Sequence, residues 1–412
     1  MTRFTTFVSC FCLVASFGIG TVKAQQWTFY RGPNGDGTAT AESGIEGKLK
    51  VHWKVPTEMG FSSFSISDGK ALTIVARSGK EVCIALDSDN GKELWATELG
   101  SNAYDGGGGA GAMNNKGGDG PRSTPTIDGG LVYVYDAQMK LYCLDLATGN
   151  LKWSQDILKD YGGRNIRWQN ATSPVVDEAR VFVVGGGKGQ SMIAFDKKSG
   201  DVVWKTGDEK MTHATPLLTS IGGQKQILFF MQSGILALSQ DSGKEFWRTK
   251  FPFSVSTAAS PVVFGDHVYG SAGYGVGAKL FKVSNGKAKM VWEKPNRLMN
   301  HWSTPVFHDG HLYGMFSFKK YGRGPLQCVD PMTGEVKWTE PGFGPGNCIV
   351  ANGKVIALSD SGEIVIAKAS PEKYSEISRD KVLDGKCWSM PALSDGKIYV
   401  RSTTEGACVS FE

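Results

Sequence analysis

Charge is scarce in this chain. Only 21% of its 412 residues are Asp, Glu, Lys or Arg, and 45 basic against 40 acidic side chains leave a net charge of +5. The basic residues stand singly among acids, with no stripe of Lys or Arg to follow a phosphate backbone, and a nucleic-acid partner is excluded on that ground. Long apolar runs are also missing beyond the first 24 residues. No later stretch approaches the roughly 20 apolar residues that a membrane-spanning helix needs. Adjacent cysteines, CxxC pairs and CxxCH are absent, which removes the usual cysteine zinc sites and covalent haem. No paired carboxylates stand out for glycoside hydrolysis, and no Leu/Ala/Glu/Lys-rich stretches favour long helices.

The first 24 residues stand apart from the rest. "MTRFTTFVSCFCLVASFGIGTVKA" has a basic start at Arg3, an apolar run from Phe7 to Ile19 and a small-residue cleavage site at Val22-Lys23-Ala24. It reads as an export signal, residues 1–24. Cys10 and Cys12 lie inside the apolar run, too early for a lipoprotein acceptor, so the expectation is a soluble protein of the periplasm or exterior. Removing Arg3 and Lys23 takes the charge from +5 to +3. Six cysteines then remain, of which Cys143, Cys328 and Cys408 fall at equivalent repeat positions and suit packing. Cys348 and Cys387 stay open as packing residues or a bridged pair.

What the chain has in abundance is glycine, 54 residues, and tryptophan, 11 residues, set in a repeat. Five segments share one frame: "ALDSDNGKELW" (85–95), "CLDLATGNLKW" (143–153), "AFDKKSGDVVW" (194–204), "ALSQDSGKEFW" (237–247) and "CVDPMTGEVKW" (328–338). In each, Gly stands four residues before Trp. "KVSNGKAKMVW", ending at Trp292, is a sixth copy with two residues inserted after Gly286. An apolar strand end, an Asp or Ser to accept bonds from the turn, a Gly free to take positive φ and a second strand make a hairpin. The terminal Trp offers a flat apolar body to pack between neighbouring units.

Ahead of each hairpin comes a second phrase, "STPTIDGGLVYV" from Ser123 and "STPVFHDGHLYG" from Ser303, with Pro at 125, 174, 216, 261, 305 and 391. The intervals are 49, 42, 45, 44 and 86, and the last is twice 43. A copy without proline therefore lies near Cys348, and another begins the series at 63–87. Trp53 in "VHWKV" has no inner strands before it, and the last copy, from Cys387, has no outer strand after it. Each fragment completes the other. The predicted fold is all-β: an eight-bladed β-propeller over 51–412, its N-terminal strand closing the C-terminal blade, with 25–50 leading into the ring.

In a propeller the segments just before each inner strand converge on one face around the central channel. Here they supply Arg122, Trp168 and Asn170 beside Arg167, His213, Ser256, Asn300, His301 and Trp302, and Trp388 beside Lys386. The candidate ligand-binding set is Arg122, Trp168, Asn170, His213, Asn300, His301, Trp302 and Trp388. Aromatic faces with amide and guanidinium donors suit a flat or anionic ligand. The bland alternative is that each residue caps its own strand. The glycine-rich connection from Gly100 to Arg122 reads as a mobile loop over that mouth. "GGGKGQ" at 185–190 links two strands without a following helix and is no phosphate loop, and Asn170-Ala-Thr is a formal glycosylation sequon.

The frame "LDLATGNLKW" resembles the tryptophan-docking repeat of eight-bladed quinoprotein propellers and their cofactor-free relatives. "WTFYRGPNGDGTA", "PRSTPTIDG", "NHWSTPVFHDGHLYG" and "CWSMPALSDGKIYVR" are similar to secreted bacterial pyrroloquinoline-quinone (PQQ)-like repeat proteins, and the resemblance runs from Trp27 to Glu412. The enzyme branch implies a quinone held between an indole and an adjacent Cys-Cys disulfide, Ca²⁺ on an acidic and amide set, and an Asp base. This chain has no adjacent cysteines and no acid directly before an inner strand; Asp105 and Asp119 lie in the glycine-rich connection. The propeller subunit of the outer-membrane-protein assembly machinery shares the repeat type and blade number, which implies a scaffold. The expectation is an exported, monomeric, non-catalytic module binding a protein, small-molecule or glycan ligand without cofactor. The alternative is a PQQ-dependent alcohol or sugar dehydrogenase with calcium and an atypical site.

Overall fold

The computed structural model describes residues 1, 26–40, 44–45, 47–103, 120–255, 257–316 and 324–412. The expected export signal, Ser256 and most of the glycine-rich connection therefore lie outside the described residues. Among the described residues eight sheets are present, seven of four antiparallel strands and one of five whose added strand runs parallel, and the protein is an eight-bladed β-propeller. Among the described residues there is one short helix, Ile157–Tyr161, and no helix is long and apolar enough to cross a membrane.

Each blade runs from an inner strand at the channel to an outer strand at the rim. Blade 1 comprises Ser65–Ser67, Lys70–Arg77, Lys80–Asp87 and Glu93–Ser101. The next five blades begin at Thr126, Val175, Leu217, Val262 and Val306. Blade 7 begins at Asn347, where the copy without proline lies. Blade 8 takes Ala392–Ser394, Lys397–Arg401 and Glu405–Phe411 from the C-terminus and Leu49–Pro56 from the N-terminal side, with Trp53 opposite Cys408. Closing the ring this way leaves only outer strands as exposed sheet edges.

The frame residues explain how blades attach to one another. Asp87, Asp145, Asp196 and Asp330 each accept N–H bonds from the two residues that follow their neighbour, as Asp196 does from Lys198 and Ser199 at 2.9 and 2.8 Å. That bends the chain so that the frame glycine takes positive φ, 75° at Gly91, 74° at Gly149 and 79° at Gly200. The glycine then lies flat on the previous blade's indole. A Cβ on Gly91, Gly149, Gly200 or Gly243 would stand only 2.6–2.9 Å from Trp53, Trp95, Trp153 or Trp204 respectively. The same indoles donate Nε1–H across the gap, Trp53 to Ser88 O at 2.9 Å, Trp95 to Leu146 O at 3.1 Å and Trp204 to Gln240 O at 2.8 Å.

The other four junctions depart from this contact: Gly334 meets the Lys294 side chain at 2.9 Å before the Trp292 ring at 3.4 Å, Trp338 donates to Ser370 O of a turn without glycine, and the outer strand of blade 7 has no Trp. In blade 5 the two inserted residues carry Gly286 away, and a Cβ there would meet nothing within 4 Å. Trp247 of blade 4 instead donates to Gln226 Oε1 of its own blade at 2.8 Å.

A second set of contacts circles the channel through the phrase that precedes each inner strand. The hydroxyl of Thr124 accepts from Ser63 N–H, Ser173 from Thr124, Thr215 from Ser173, Thr304 from Ser260 and Ser63 from Met390, at 2.8–3.0 Å. The Ser or Thr before proline thus binds the preceding blade rather than its own strand.

The 25–50 region does more than lead into the ring. Residues 26–39 form a hairpin inserted along the channel from the face where the inner hairpins turn, with Gln26 beside Asp68. Trp27 pairs with Ile66 of blade 1, Thr28 O accepts from Ile127 of blade 2, and Thr38–Ala39 runs parallel to Val350 and Ala351 of blade 7. At the far end Arg31 is buried and donates to Thr304 O and Pro305 O of blade 6 at 2.9 and 3.0 Å. Gly32, Gly35 and Gly37, at φ 78°, 68° and 82°, make the tight return possible, and Gly32 packs on the Trp27 ring. The channel is filled.

All six described cysteines are buried free thiols, Cys348 and Cys387 included. Buried charges sit between blades. Arg401 of blade 8 reaches blade 1 at Thr73 Oγ1 and Ile74 O, and burial lowers its pKa to about 10. Asp136 of blade 2 accepts from Lys140 N–H at 2.7 Å and from the Tyr142 hydroxyl at 3.1 Å, while burial lifts its pKa to about 6.

Two outcomes follow from these contacts. Both Gly200 and Gly286 have positive φ, so alanine costs each about 1–2 kcal/mol of backbone strain. Only Gly200→Ala also drives a methyl into an indole, adding about 1–3 kcal/mol. Urea unfolding should show the larger loss at Gly200, and equal losses would refute the docking account.

A carboxyl raised to about 6 in the folded state stabilises the protein fully below the ordinary carboxylate range and loses that contribution as pH rises toward 6. The difference of about 2 pH units corresponds to about 3 kcal/mol. Asp136→Asn should therefore differ little from wild type at pH 4 and be the more stable protein at pH 7.5. A melting profile as steep in the variant as in wild type would contradict this.

Candidate functional site

The segments before the inner strands meet on one face and bond to one another. Pro121 O accepts from Phe61 and Ser62 N–H at 2.7 and 3.1 Å, and Thr257 O accepts from His213 N–H at 3.1 Å. His301 O accepts from Ala258 and Ala259 at 2.7 and 3.0 Å. Trp302 Nε1–H donates to Pro345 O at 2.9 Å, and Asn347 Nδ2–H to Trp388 O at 2.7 Å. Main chain and side chains together form a collar spanning several blades, which holds the mouth residues in place.

On that collar lies a continuous series of rings. Tyr274 meets His301 edge-on at 4.9 Å, His301 lies 4.9 Å from Trp302, Trp302 lies 4.5 Å from Trp388, and Trp388 stacks on Phe61 at 5.3 Å and 25°. Cations cap the series: Arg122 stands over Phe61 at 5.3 Å and Lys386 over Trp388 at 5.1 Å. Trp388 is further anchored through Nε1–H to Asp360 Oδ1 at 2.7 Å, and burial raises the pKa of that carboxyl.

The candidate residues divide into four groups. His301, Trp302, Trp388 and Arg122 come together in the ring series. His213 is buried, its Nε2 2.6 Å from Gln169 O; a carbonyl only accepts, so Nε2 carries the proton. Burial, with the charge of Arg122 nearby, lowers its pKa to about 3, and burial lowers that of His301 to about 4. Both imidazoles are neutral at ordinary pH. Trp168 stands apart, half-buried, with Arg167 over it at 5.9 Å.

Asn170 and Asn300 are committed to the backbone. Asn170 Nδ2 donates to Asp136 O at 3.1 Å while its Oδ1 takes the Thr172 N–H and hydroxyl at 2.9 and 2.7 Å. That buried amide is closed to glycosylation in the folded protein. Asn300 Nδ2 donates to Met315 O at 2.8 Å from a fully buried position.

Phe61, Tyr274 and Asp360 belong to the same cluster and were not among the sequence candidates. Phe61 precedes the one inner strand at the start of the series that has no proline to mark it. Tyr274 lies at the tip of the hairpin between the second and third strands of blade 5, about half exposed and at φ 55°. An aromatic residue between two glycines, in "SAGYGVG", was the available signal.

Comparison with known proteins agrees with this architecture. Residues 78–340 match the protein family PQQ_2, described as outer membrane protein assembly factor BamB. No curated protein matches the sequence significantly. Among solved structures, BamB from Moraxella catarrhalis is similar with TM-score 0.62 and 15% identity, over 88% of this chain and 100% of that one. The quinohemoprotein alcohol dehydrogenase ADHIIG from Pseudomonas putida HK5 is similar with TM-score 0.69 and 12% identity, over 94% of this chain and 80% of that one. The corresponding enzyme from Comamonas testosteroni gives TM-score 0.57 and 13% identity, over 93% and 80%. At such identities the structural likeness carries the fold alone. With a match that spans more than half of its length, this chain belongs to the PQQ_2 family of BamB-like repeat propellers.

Proposed function

We propose that the protein is an exported, non-catalytic scaffold whose mouth docks a partner protein through a segment carrying an aromatic side chain beside a carboxylate. The observation that carries this reading is the ring series from Tyr274 to Phe61, capped by Arg122 and Lys386. Aromatic residues held rigidly lose little entropy when they bind, and clustered Trp and Tyr dominate interface energetics. The two cations favour an anion nearby. His213 and His301, held neutral by burial, add no charge to it at neutral pH. Membership of a family described as an assembly factor favours a protein partner over a free small molecule or a glycan.

The quinone alternative asks for a different donor set. A quinone needs an open slot on an indole opposite a vicinal disulfide, whereas Trp388 has Phe61 stacked on it and Trp302 close by, and the chain has no adjacent cysteines. Among the described residues no three His, Cys, Asp or Glu side chains gather as a cation site. The stacked Trp388 and the lack of adjacent cysteines favour the scaffold reading over a quinone site of that kind.

Fluorescence titration of the purified mature chain with short peptides of the type acetyl-Trp-Asp-Glu-amide tests the proposal. Trp388→Ala and Trp302→Ala should each weaken binding about 10-fold or more while the urea midpoint falls by less than a core substitution would cause. Stoichiometric thermal stabilisation by PQQ and Ca²⁺ together with dye-linked alcohol oxidation would overturn it.

A further inference from the structure

The channel is filled by this chain's own residues 26–39, and the way they are held differs from the rest of the core. The inner strands of blades 1, 2 and 7 present free edges to the channel, and the hairpin satisfies them as an added strand would: Ile66 N–H donates to Trp27 O at 2.7 Å, Ile127 to Thr28 O at 2.8 Å and Val350 to Gly37 O at 3.0 Å. Main-chain pairing of this kind recognises an extended polypeptide largely regardless of its sequence, and pockets for alternate side chains supply the selectivity.

One of those pockets is imperfectly filled, and the other holds the hairpin's far end. Trp27 is fully buried, yet its indole N–H has no acceptor. Arg31 is buried with its guanidinium on four carbonyls, those of Gly35, Asp36, Thr304 and Pro305, and it takes part in no salt bridge among the described residues. The orphaned indole donor subtracts from the stability that the same burial would otherwise give, while the four carbonyl bonds of Arg31 hold the hairpin's far end. Polar Gln26, Thr28, Asn34, Asp36 and Thr38 make up much of the remainder, unlike the apolar strands of the blades.

We propose that the edges of the inner strands of blades 1, 2 and 7, with the carbonyl cradle of blade 6, form a binding site for an extended polypeptide. Residues 26–39 occupy it in cis and can be exchanged for the same segment of a second copy of this chain. The strand enters from the face opposite the mouth, where Gln26 lies beside Asp68. No ring of the mouth series contributes to this site, although its carbonyl cradle at Thr304 and Pro305 follows Trp302 in the chain.

The test uses the full mature chain, the full chain carrying Arg31→Ala, and a fluorescein-labelled peptide of residues 26–40. Slow uptake of one peptide per chain by the wild type is expected, with at least tenfold faster uptake by Arg31→Ala, which weakens the cis hairpin's hold. Amide hydrogen exchange read on the unlabelled full chain should show Ile66, Ile127 and Val350 opening before the second strands of the same blades. Absence of uptake by both chains overturns the proposal. So does exchange of the three amides only together with the second strands, since the hairpin would then be permanent core.

Discussion

A glycine lying flat on a tryptophan is the contact on which this ring depends. The indole needs a surface without a Cβ, the glycine needs positive φ, and the preceding Asp supplies the turn that gives it. Each contact then adds an indole N–H bond to a neighbouring carbonyl, joining packing and polarity at one spot. A single such contact is worth no more than about 0.5–1.5 kcal/mol beyond its buried area. Its force comes from repetition at four successive junctions, from blade 8 round to blade 4, in a closed ring where no blade can leave without opening junctions on both sides. Trp247 is informative because its junction lacks the contact, and there the indole turns inward to Gln226.

Rim and hub are secured by different chemistry. At the rim the blades diverge, so a large flat side chain is needed to span the gap. At the hub they converge, and short hydroxyls suffice: Thr124, Ser173, Thr215 and Thr304 reach the preceding blade's N–H within 3.0 Å. Proline after those residues removes a donor that would have no partner and fixes the extended approach. What remains at the centre is too wide for inner strands to close alone, and the N-terminal hairpin fills it.

The ring was legible because its determinants recur. Gly four residues before Trp, and Ser or Thr before Pro, repeat often enough that a missing copy could be placed near Cys348 from interval arithmetic. The role of each repeated residue in joining neighbours was less visible, since the hydroxyl's partner lies one blade away. Features that occur once were harder still. Nothing periodic marks Phe61 or Tyr274, and "YRGPNGDG" carries glycines whose purpose appears only when Arg31 is seen against blade 6. The lead-in segments of blades 1, 2, 6 and 8 do meet in the ring series, whereas Trp168 stands apart from it. That Asn170 and Asn300 would be consumed by backbone groups while Trp302 and Trp388 pair with one another depends on side-chain directions that spacing does not encode.

The same ring carries enzymes and scaffolds, so the distinction rests on how the mouth's aromatic surfaces are used. An indole acts as a cofactor platform when a face is open and the opposite wall is built to match. Trp388 has Phe61 stacked on it, Trp302 close by, and its N–H fixed on Asp360. Held by three neighbours from different parts of the ring, it forms part of a rigid composite surface. Such a surface suits recognition of another polypeptide, where stiffness lowers the entropy of association and no reacting group must be positioned. The collar beneath serves that end, since its N–H to carbonyl bonds run from one lead-in segment to another and hold the rings in place without help from a ligand.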